Sequence, residues 1–292
     1  MAIDDILQRD ALMRRVRAFF HERGFTEVET PVRLKIPCME LHIDAEPSGD
    51  YYLRTSPEIF HKRLLAAGHS NIFELGKCFR RGEIGPLHNP EYTMLEWYRA
   101  NADYMDVLAD TQVLISVVAG VADSGSVGGI VDPAWKQMTV SAAFLEFAGW
   151  DPAGNYDEDR FDLDLVEKVE PALKRIGGAV VLIDYPIEAA ALARRKPGNP
   201  LVAERWELYI DGIEIANAYS ELTDPAEQRR RFEECAEQRK ALGKEAYPID
   251  EAFIQSLESM PPSGGVALGV DRLLMLIDGA DSLDAVLPFR GL

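Results

Sequence analysis

The sequence predicts an α+β fold, and three stretches carry that expectation. Phe73–Arg99 (FELGKCFRRGEIGPLHNPEYTMLEWYR) reads as strand, loop, strand. Glu207–Tyr219 reads as two alternating strands about Asp211-Gly212, a tight-hairpin pair. Gly264–Asp278 (GGVALGVDRLLMLID) reads as a glycine-rich strand that enters an apolar helix, with Gly279 after its end.

Taken in order, Asp5–Arg23 has Leu12, Val16, Phe19 and Phe20 on one helical face and stops at Gly24. Phe25–Pro31 follows as a strand ending at proline. Residues 51–68 predict a strand and then a helix capped by Thr55 or Ser56, with Pro57 at the first helical position and Glu58 in the first turn. Phe73–Phe79 is a short apolar run, and Arg80–Pro90 carries breaks at Gly82 and Gly85-Pro86. In Glu91–Arg99, strand alternation puts Tyr92, Met94, Glu96 and Tyr98 on one face and Thr93, Leu95 and Trp97 on the other. A carboxylate and two phenols beside a methionine on one face point to a wet, functional cavity, and the Arg80-Arg81 pair points to a bound anion. Further helices are expected at Tyr104–Val121, Thr139–Trp150 and Leu163–Ile176, with a connector at Asp123–Gly129, an apolar strand at Ala179–Asp184 and a basic surface loop at Ala190–Pro200. Asp224-Pro225-Ala226-Glu227 opens a helix that runs to Leu242, through a cap, a proline at the first position and a glutamate at the third.

The chain has 292 residues, 47% hydrophobic and 27% charged, enough for one large domain that buries a sizeable core. It contains no run of 18 apolar residues and its N-terminus lacks a signal-peptide pattern. Cys38, Cys78 and Cys235 lack metal-ligand spacing and cannot all pair, so a reduced cytoplasmic setting without zinc is expected. A net charge of −18 argues against gripping tRNA, because phosphate neutralisation dominates nucleic-acid affinity. GGVALG lacks the dinucleotide-binding spacing, and no phosphate-loop signature or nucleophilic triad is evident. Arg272 in the first turn of its helix opposes the helix dipole, so it answers to something else.

Three of these stretches together carry a resemblance. Phe79-Arg80 through His88-Asn89-Pro90-Glu91-Tyr92-Thr93-Met94 and Glu96-x-Tyr98 is similar to motif 2 of class II aminoacyl-tRNA synthetases in their lysyl form. The helix and strand ending at Pro31 resemble motif 1, and G-x-x-x-G-x-D-R-L at Gly265–Leu273 resembles motif 3, so the likeness spans nearly the whole chain. The variant L-E-W-Y-R at Leu95–Arg99 resembles a narrower group, truncated lysyl-synthetase paralogues that attach β-lysine to a lysine of elongation factor P. The resemblance implies a catalytic core of antiparallel sheet flanked by helices over residues 1–292, with residues 123–200 as an embellishment without chemistry. It implies a homodimer, and no N-terminal anticodon-binding OB domain is expected.

It also implies roles. Arg80 would clamp the α-phosphate of ATP and the substrate carboxylate, and Arg272 the γ-phosphate; these two are the catalytic candidates. Arg81, Gly82, Glu83, His88, Asn89 and Tyr92 would surround the nucleotide, with Tyr92 stacking on adenine, and Ile215 and Gly269 would complete that side. Glu214 and Glu221 would hold Mg²⁺ against the phosphates, since this ion accepts a few carboxylates plus phosphate and water oxygens. Ser56, Pro57 and Glu58 would hold an amino group of the substrate. Glu96 and Tyr98 would receive the far ammonium of a lysine-like side chain, with Glu221 and Ala267 completing that pocket. In two places the chain departs from the lysyl pattern. The motif 2 glutamate is displaced by one, to Glu83, and Ala267 stands where glycine is usual, which favours β-lysine.

The plain alternatives are a cap for Glu58, a solvent-facing strand position for Glu214 and a structural histidine for His88. The functional expectation is an ATP-dependent, AMP-forming ligase that activates (R)-β-lysine, or lysine, and passes it to elongation factor P. The rivals are a minimal lysyl-tRNA synthetase-like enzyme acting on tRNA or another acceptor, and a non-catalytic amino-acid-sensing paralogue.

Overall fold

The computed structural model describes residues 3–120 and 135–290. In chain order the strands are β1 (Thr26–Glu27), β2 (Arg33–Leu34), β3 (Pro47–Ser48), β4 (Tyr51–Leu53), β5 (Asn71–Phe79), β6 (Glu91–Ala100), β7 (Lys136–Thr139), β8 (Ala179–Pro186), β9 (Val202–Ile210), β10 (Ile213–Ser220) and β11 (Ser263–Gly269). The α-helices are α1 (Ile3–Glu22), α2 (Glu58–Ala66), α3 (Tyr104–Ala119), α4 (Val140–Phe147), α5 (Glu158–Asp164), α6 (Glu170–Ile176), α7 (Pro225–Ala241), α8 (Glu251–Ser256) and α9 (Val270–Ile277).

Local chemistry sets the boundaries. Gly24 ends α1 with φ of 74°, where glycine carries no Cβ penalty. Asp103 accepts from the backbone N–H groups of Met105 and Asp106, and Asp106 accepts from that of Asp103, a capping box that starts α3. Asp224 caps α7 ahead of Pro225. Asp211 and Gly212 take φ of 49° and 77°, as a two-residue turn between twisted strands demands.

The main sheet runs β1-β5-β6-β11-β10-β9-β8-β7, antiparallel except for the outermost pair at each edge, and β2-β4-β3 forms a small second sheet. This is the α+β architecture expected. One face of the main sheet presents Phe73, Leu95, Trp97, Val266, Trp206 and Leu208 to α1, α3 and α9 in the principal core. The other face is covered at two places and left open between them. At the β5–β6 end, Ile72 and Tyr98 pack with Ile59, Leu65, Phe232 and Phe253 from α2, α7 and α8. At the β8–β9 end, Val180, Leu182 and Tyr209 pack with Phe144, Phe161 and Leu173. The polar cleft lies between these two apolar clusters. No described helix is long and apolar enough to cross a membrane.

Several expected elements differ in detail. Of Phe25–Pro31, only Thr26–Glu27 pairs in the sheet, because Thr30 commits both its N–H and its hydroxyl to the Glu74 carboxylate. Pro57 is the cap residue of α2 and not its first helical residue, and the Ser56 hydroxyl accepts the Glu58 N–H. Lys136–Thr139 is a strand, after which Thr139 caps α4. The helix foreseen at Leu163–Ile176 begins earlier, at Glu158, and passes through a π-helical turn at Leu165–Val169. Ala190–Pro200 is not a plain surface loop. Ala190, Leu192 and Ala193 are buried, and Arg194 pairs with Glu204 at 2.5 Å. Asp123–Gly129 lies outside the described residues.

Candidate active site

The alternation read in β6 decides which side chains enter the cleft. Tyr92, Met94, Glu96 and Tyr98 stand on one face, and the register sets Cys78, Gly76, Glu74 and Ile72 of β5 beside them. On the other flank β11 offers Gly269, Ala267 and Gly265. Asn217 and Tyr219 of β10 pair with Ala267 and Gly265, and with Glu207 and Arg205 of β9. A register shift at Ile215 puts Glu214 opposite Tyr209, on this same face, which strict alternation from Asn217 would not do. Small residues on β11 leave the space. A Cβ on Gly265 would collide with the Glu221 carboxylate and the Tyr98 ring.

One end of the cleft, about 680 Å³ of open space, is ringed by the loop between β5 and β6, β10 and the start of α9. Arg272 donates to the carbonyls of Leu87 (3.1 Å) and Glu214 (2.9 Å), lies 3.5 Å from the Glu214 carboxylate and 2.6 Å from His88 Nε2. His88 therefore accepts and stays neutral; partial burial and then Arg272 hold its pKa below the ordinary value. Arg80 sits 5.3 Å from the centre of the Tyr92 ring and 3.7 Å from Glu83, and its Nε is buried without a partner. The Tyr92 hydroxyl is anchored on the Thr55 carbonyl at 2.8 Å. Glu214 is 40% exposed to the cleft; burial of its surroundings and then Glu207 raise its pKa, and Arg272 opposes them.

The deeper end is built from buried carboxylates. Lys62 Nζ lies 2.6 Å from Glu58 Oε1 and 2.6 Å from Glu221 Oε2. Burial works against its charge, but Glu221 and Glu58 outweigh that and hold its pKa above the ordinary value. Burial pushes Glu221 up to about 8. Glu96 accepts from the Ser56 hydroxyl at 2.6 Å and the Tyr98 hydroxyl at 3.0 Å. Glu58 and Glu221 share a single lysine, so a second cation that reached them would favour the charged form of both.

The model of the tRNA synthetases class II (D, K and N) matches residues 3–291. The chain belongs to this class II synthetase family. Elongation factor P–(R)-beta-lysine ligases of Erwinia tasmaniensis and Vibrio cholerae are 38% and 37% identical to it, each over 99% of this chain and 95% of the relative. A lysine–tRNA ligase of Magnetococcus marinus is 35% identical over 96% of this chain but only 62% of its own length. The chain thus spans less than two thirds of that relative and nearly all of the other two.

In this class II synthetase most of the foreseen residues come together. Arg80, Glu83, His88, Asn89, Tyr92, Glu214, Ile215, Gly269 and Arg272 line the open end, and Ala267 bridges to the deeper one. Ser56, Glu58, Glu96, Tyr98 and Glu221 form the deeper end around Lys62 and His61. Others do not join. Arg81 and Gly82 are exposed at the tip of the turn, and Pro57 is buried as a helix cap. Glu214, foreseen with Glu221 as a metal ligand, lines the open end, whereas Glu221 is engaged by Lys62 in the deeper end. The carboxylate beside Glu214 is Glu207, which accepts from Tyr185 (2.5 Å) and Tyr209 (2.6 Å) and pairs with Arg205. Tyr185 comes from β8, so the embellishment touches Glu207, the carboxylate beside Glu214.

Sequence reading missed Lys62 and His61, which sit inside an ordinary helical pattern, and Glu74. It also missed Asp271, which accepts from the Thr93 N–H (2.7 Å) and pairs with Arg9 (2.7 Å), tying β6 to α1 and α9. Arg290 was likewise unseen; it donates to the carbonyls of Gly85 (2.7 Å) and His88 (2.5 Å) and braces the loop over the cleft. The partners of both lie about 180 or more residues away in sequence, and only Asp271 falls within a local motif, the D of G-x-x-x-G-x-D-R-L, which does not show what it holds.

Proposed function

We propose that this protein is an ATP-dependent, AMP-forming ligase that activates (R)-β-lysine, or lysine, and transfers it to a lysine of elongation factor P. The observation that carries the reading is the two-ended cleft. Arginines 80 and 272 stand at one end, and the carboxylates Glu58, Glu221 and Glu96 stand at the other, the last two fully buried. The names of the Erwinia and Vibrio relatives support the amino acid and the acceptor.

Activation joins two anions, a carboxylate and a triphosphate, so the protein must neutralise and align them; no nucleophile is required of it. In this reading the substrate carboxylate attacks the α-phosphorus, pyrophosphate leaves, and an acceptor amine then displaces AMP. Arg80, with its unpartnered Nε, holds the carboxylate and α-phosphate. Arg272, steadied by the carbonyls of Leu87 and Glu214, holds the far phosphates. Glu58 and Glu221 receive the near amino group beside Lys62, and Glu96 and Tyr98 receive the distal ammonium.

Mg²⁺ fits Glu214, whose carboxylate opens to the cleft and keeps lone pairs free. No cluster of three acidic, histidine or cysteine ligands exists among the described residues, so the ion would be shared with phosphate oxygens and water, its usual preference. It would supply charge neutralisation to the phosphates. The reading places the enzyme in the cytoplasm, in keeping with three unpaired cysteines. It also makes the enzyme a homodimer, in keeping with exposed Ile6 and Leu7 on α1.

The test offers labelled (R)-β-lysine and L-lysine, with ATP, to purified elongation factor P and separately to bulk tRNA. Label on the protein with β-lysine preferred is expected. Label on tRNA would transfer the assignment to a minimal synthetase, and no pyrophosphate exchange with either amino acid would remove the ligase reading.

A further inference from the structure

The far end of the deeper pocket holds a buried quartet: Arg54, Glu74, His61 and Glu96. Glu74 is fully provided for. It pairs with Arg54 at 2.6 Å, accepts the Thr30 hydroxyl at 2.8 Å and faces His61 Nε2 at 3.0 Å. Glu96 has only neutral donors, Ser56 and Tyr98, within hydrogen-bond reach. Among the described residues, the one cationic group within ion-pair range of Glu96 is His61, whose Nδ1 lies 3.7 Å away and has no hydrogen-bond partner.

We propose that His61 is a specificity-determining residue that shares Glu96 with the distal ammonium of the substrate, so that a diamino acid binds with loss of a proton from His61. The inference rests on the assignment of Glu96 to the distal ammonium made above.

The argument is a charge count in a dry site. An imidazole with a carboxylate at each nitrogen needs an N–H on both, which makes it a cation. Two positive groups, Arg54 and His61, then balance two negative ones, Glu74 and Glu96. An ammonium that arrives at Glu96 leaves one buried positive charge uncompensated unless His61 becomes neutral. The groups that face His61 from each side agree with this balance. Glu74 comes from β5, Glu96 and Tyr98 from β6 (the Tyr98 ring centre at 5.1 Å), and Glu58 and Lys62, already paired with each other, from its own helix. Burial opposes the charge of His61, but Glu74 and Glu96 outweigh it and lift the pKa above the ordinary histidine value. A substrate without the distal ammonium meets a pocket that is already neutral. The histidine therefore sets how strongly the site demands a second amine, and the demand grows as pH rises.

The test uses the full-length protein, wild type and His61→Gln, which keeps polar atoms but not the charge. KM and kcat in ATP–pyrophosphate exchange are measured from pH 6 to 8.5 with L-lysine, (R)-β-lysine and norleucine. Isothermal calorimetry in two buffers of different ionisation enthalpy counts protons released when L-lysine binds. For wild type, KM for the diamino acids is expected to fall by up to about tenfold per pH unit, the slope for one proton released. The KM for norleucine and kcat should stay nearly flat, and calorimetry at pH 6.5 should count close to one proton. In His61→Gln the slope and the proton should both vanish, with a lower diamino-acid KM at pH 6 than wild type. A folded His61→Gln that keeps the wild-type pH profile would overturn the proposal, as would wild-type binding without proton release. Proton-coupled binding of lysine without pyrophosphate exchange would uphold the role of His61 and remove the ligase reading. Absence of binding of both L-lysine and (R)-β-lysine would remove both.

Discussion

Glu96 shows how much a single side chain can decide. It is 1% exposed, and its neutral donors Ser56 and Tyr98 position it without cancelling its charge. Removing one partner of a buried charged hydrogen bond costs about 2–5 kcal/mol. Glu96→Gln is therefore expected to raise KM for lysine or β-lysine by at least about thirtyfold, while KM for norleucine changes little; equal losses on both substrates would refute the role. Glu40, which sequence reading passed over, gives a pH signature. Burial raises its carboxyl from 4.5 to about 7, opposed by Arg80 and aided by Glu58. The folded state thus holds the proton more tightly than the unfolded one, so this stabilising contribution is complete below about pH 4.5 and is lost as pH rises towards 7. Glu40→Gln should match the wild type in chemical denaturation at pH 4.5 and exceed it at pH 7.5. The gain should fall short of about 3 kcal/mol, because the side chain is only partly shielded. A difference that is the same at both pH values would contradict the assignment. Arg80, Arg272, Glu96 and Tyr98 were legible because motif spacing on a strand or at a helix start fixes where they point. Lys62 and His61 were not, because a polar residue within a helical pattern reads as a solvated face until the tertiary fold buries it. The ion pair of Glu221 with Lys62 was equally hidden, because its partner lies on a different element far along the chain.

Among the elements, the β9–β10 hairpin was the most readable, because its turn chemistry is local. Its consequences are not local. At Gly212, with φ of 77°, an added Cβ would sit 2.7 Å from Lys174 Cβ and 2.9 Å from the Glu170 carbonyl oxygen. The turn is thus clamped against α6, and through β9 and β10 it holds the register that brings Glu207 beside Glu214. Gly212→Ala combines left-handed backbone strain with a clash and should cost about 1–3 kcal/mol of stability. Asp211→Asn, a residue tolerant of that conformation, should be nearly neutral. Denaturation curves of the two variants check this; an unchanged Gly212→Ala midpoint would show that the turn does not bear on α6. The embellishment was the least readable element, because β7 and β8 join the sheet only through pairing with β9, and Tyr185 touches Glu207 across 22 residues. The π-helical turn at Leu165–Val169 has no period of its own that sequence could display.

For the whole molecule, the net charge of −18 is the quantity that separates acceptors. Within the site, Arg272 donates to the carbonyls of Leu87 and Glu214, and Arg290 to those of Gly85 and His88. On α7, Arg229, Arg230 and Arg231 are paired with Glu251, Glu234 and Glu227 respectively. The field around a chain this acidic repels a phosphate backbone. A protein that makes 6–10 phosphate contacts loses about 10³–10⁵ in affinity between 50 and 200 mM salt. This chain should show no such loss, because it should have little tRNA affinity to lose. Filter binding of bulk tRNA across that salt range is expected to give weak retention with almost no slope. A steep negative slope would mean that the folded surface gathers basic side chains the overall balance conceals, and tRNA would then stand as the acceptor in place of a protein.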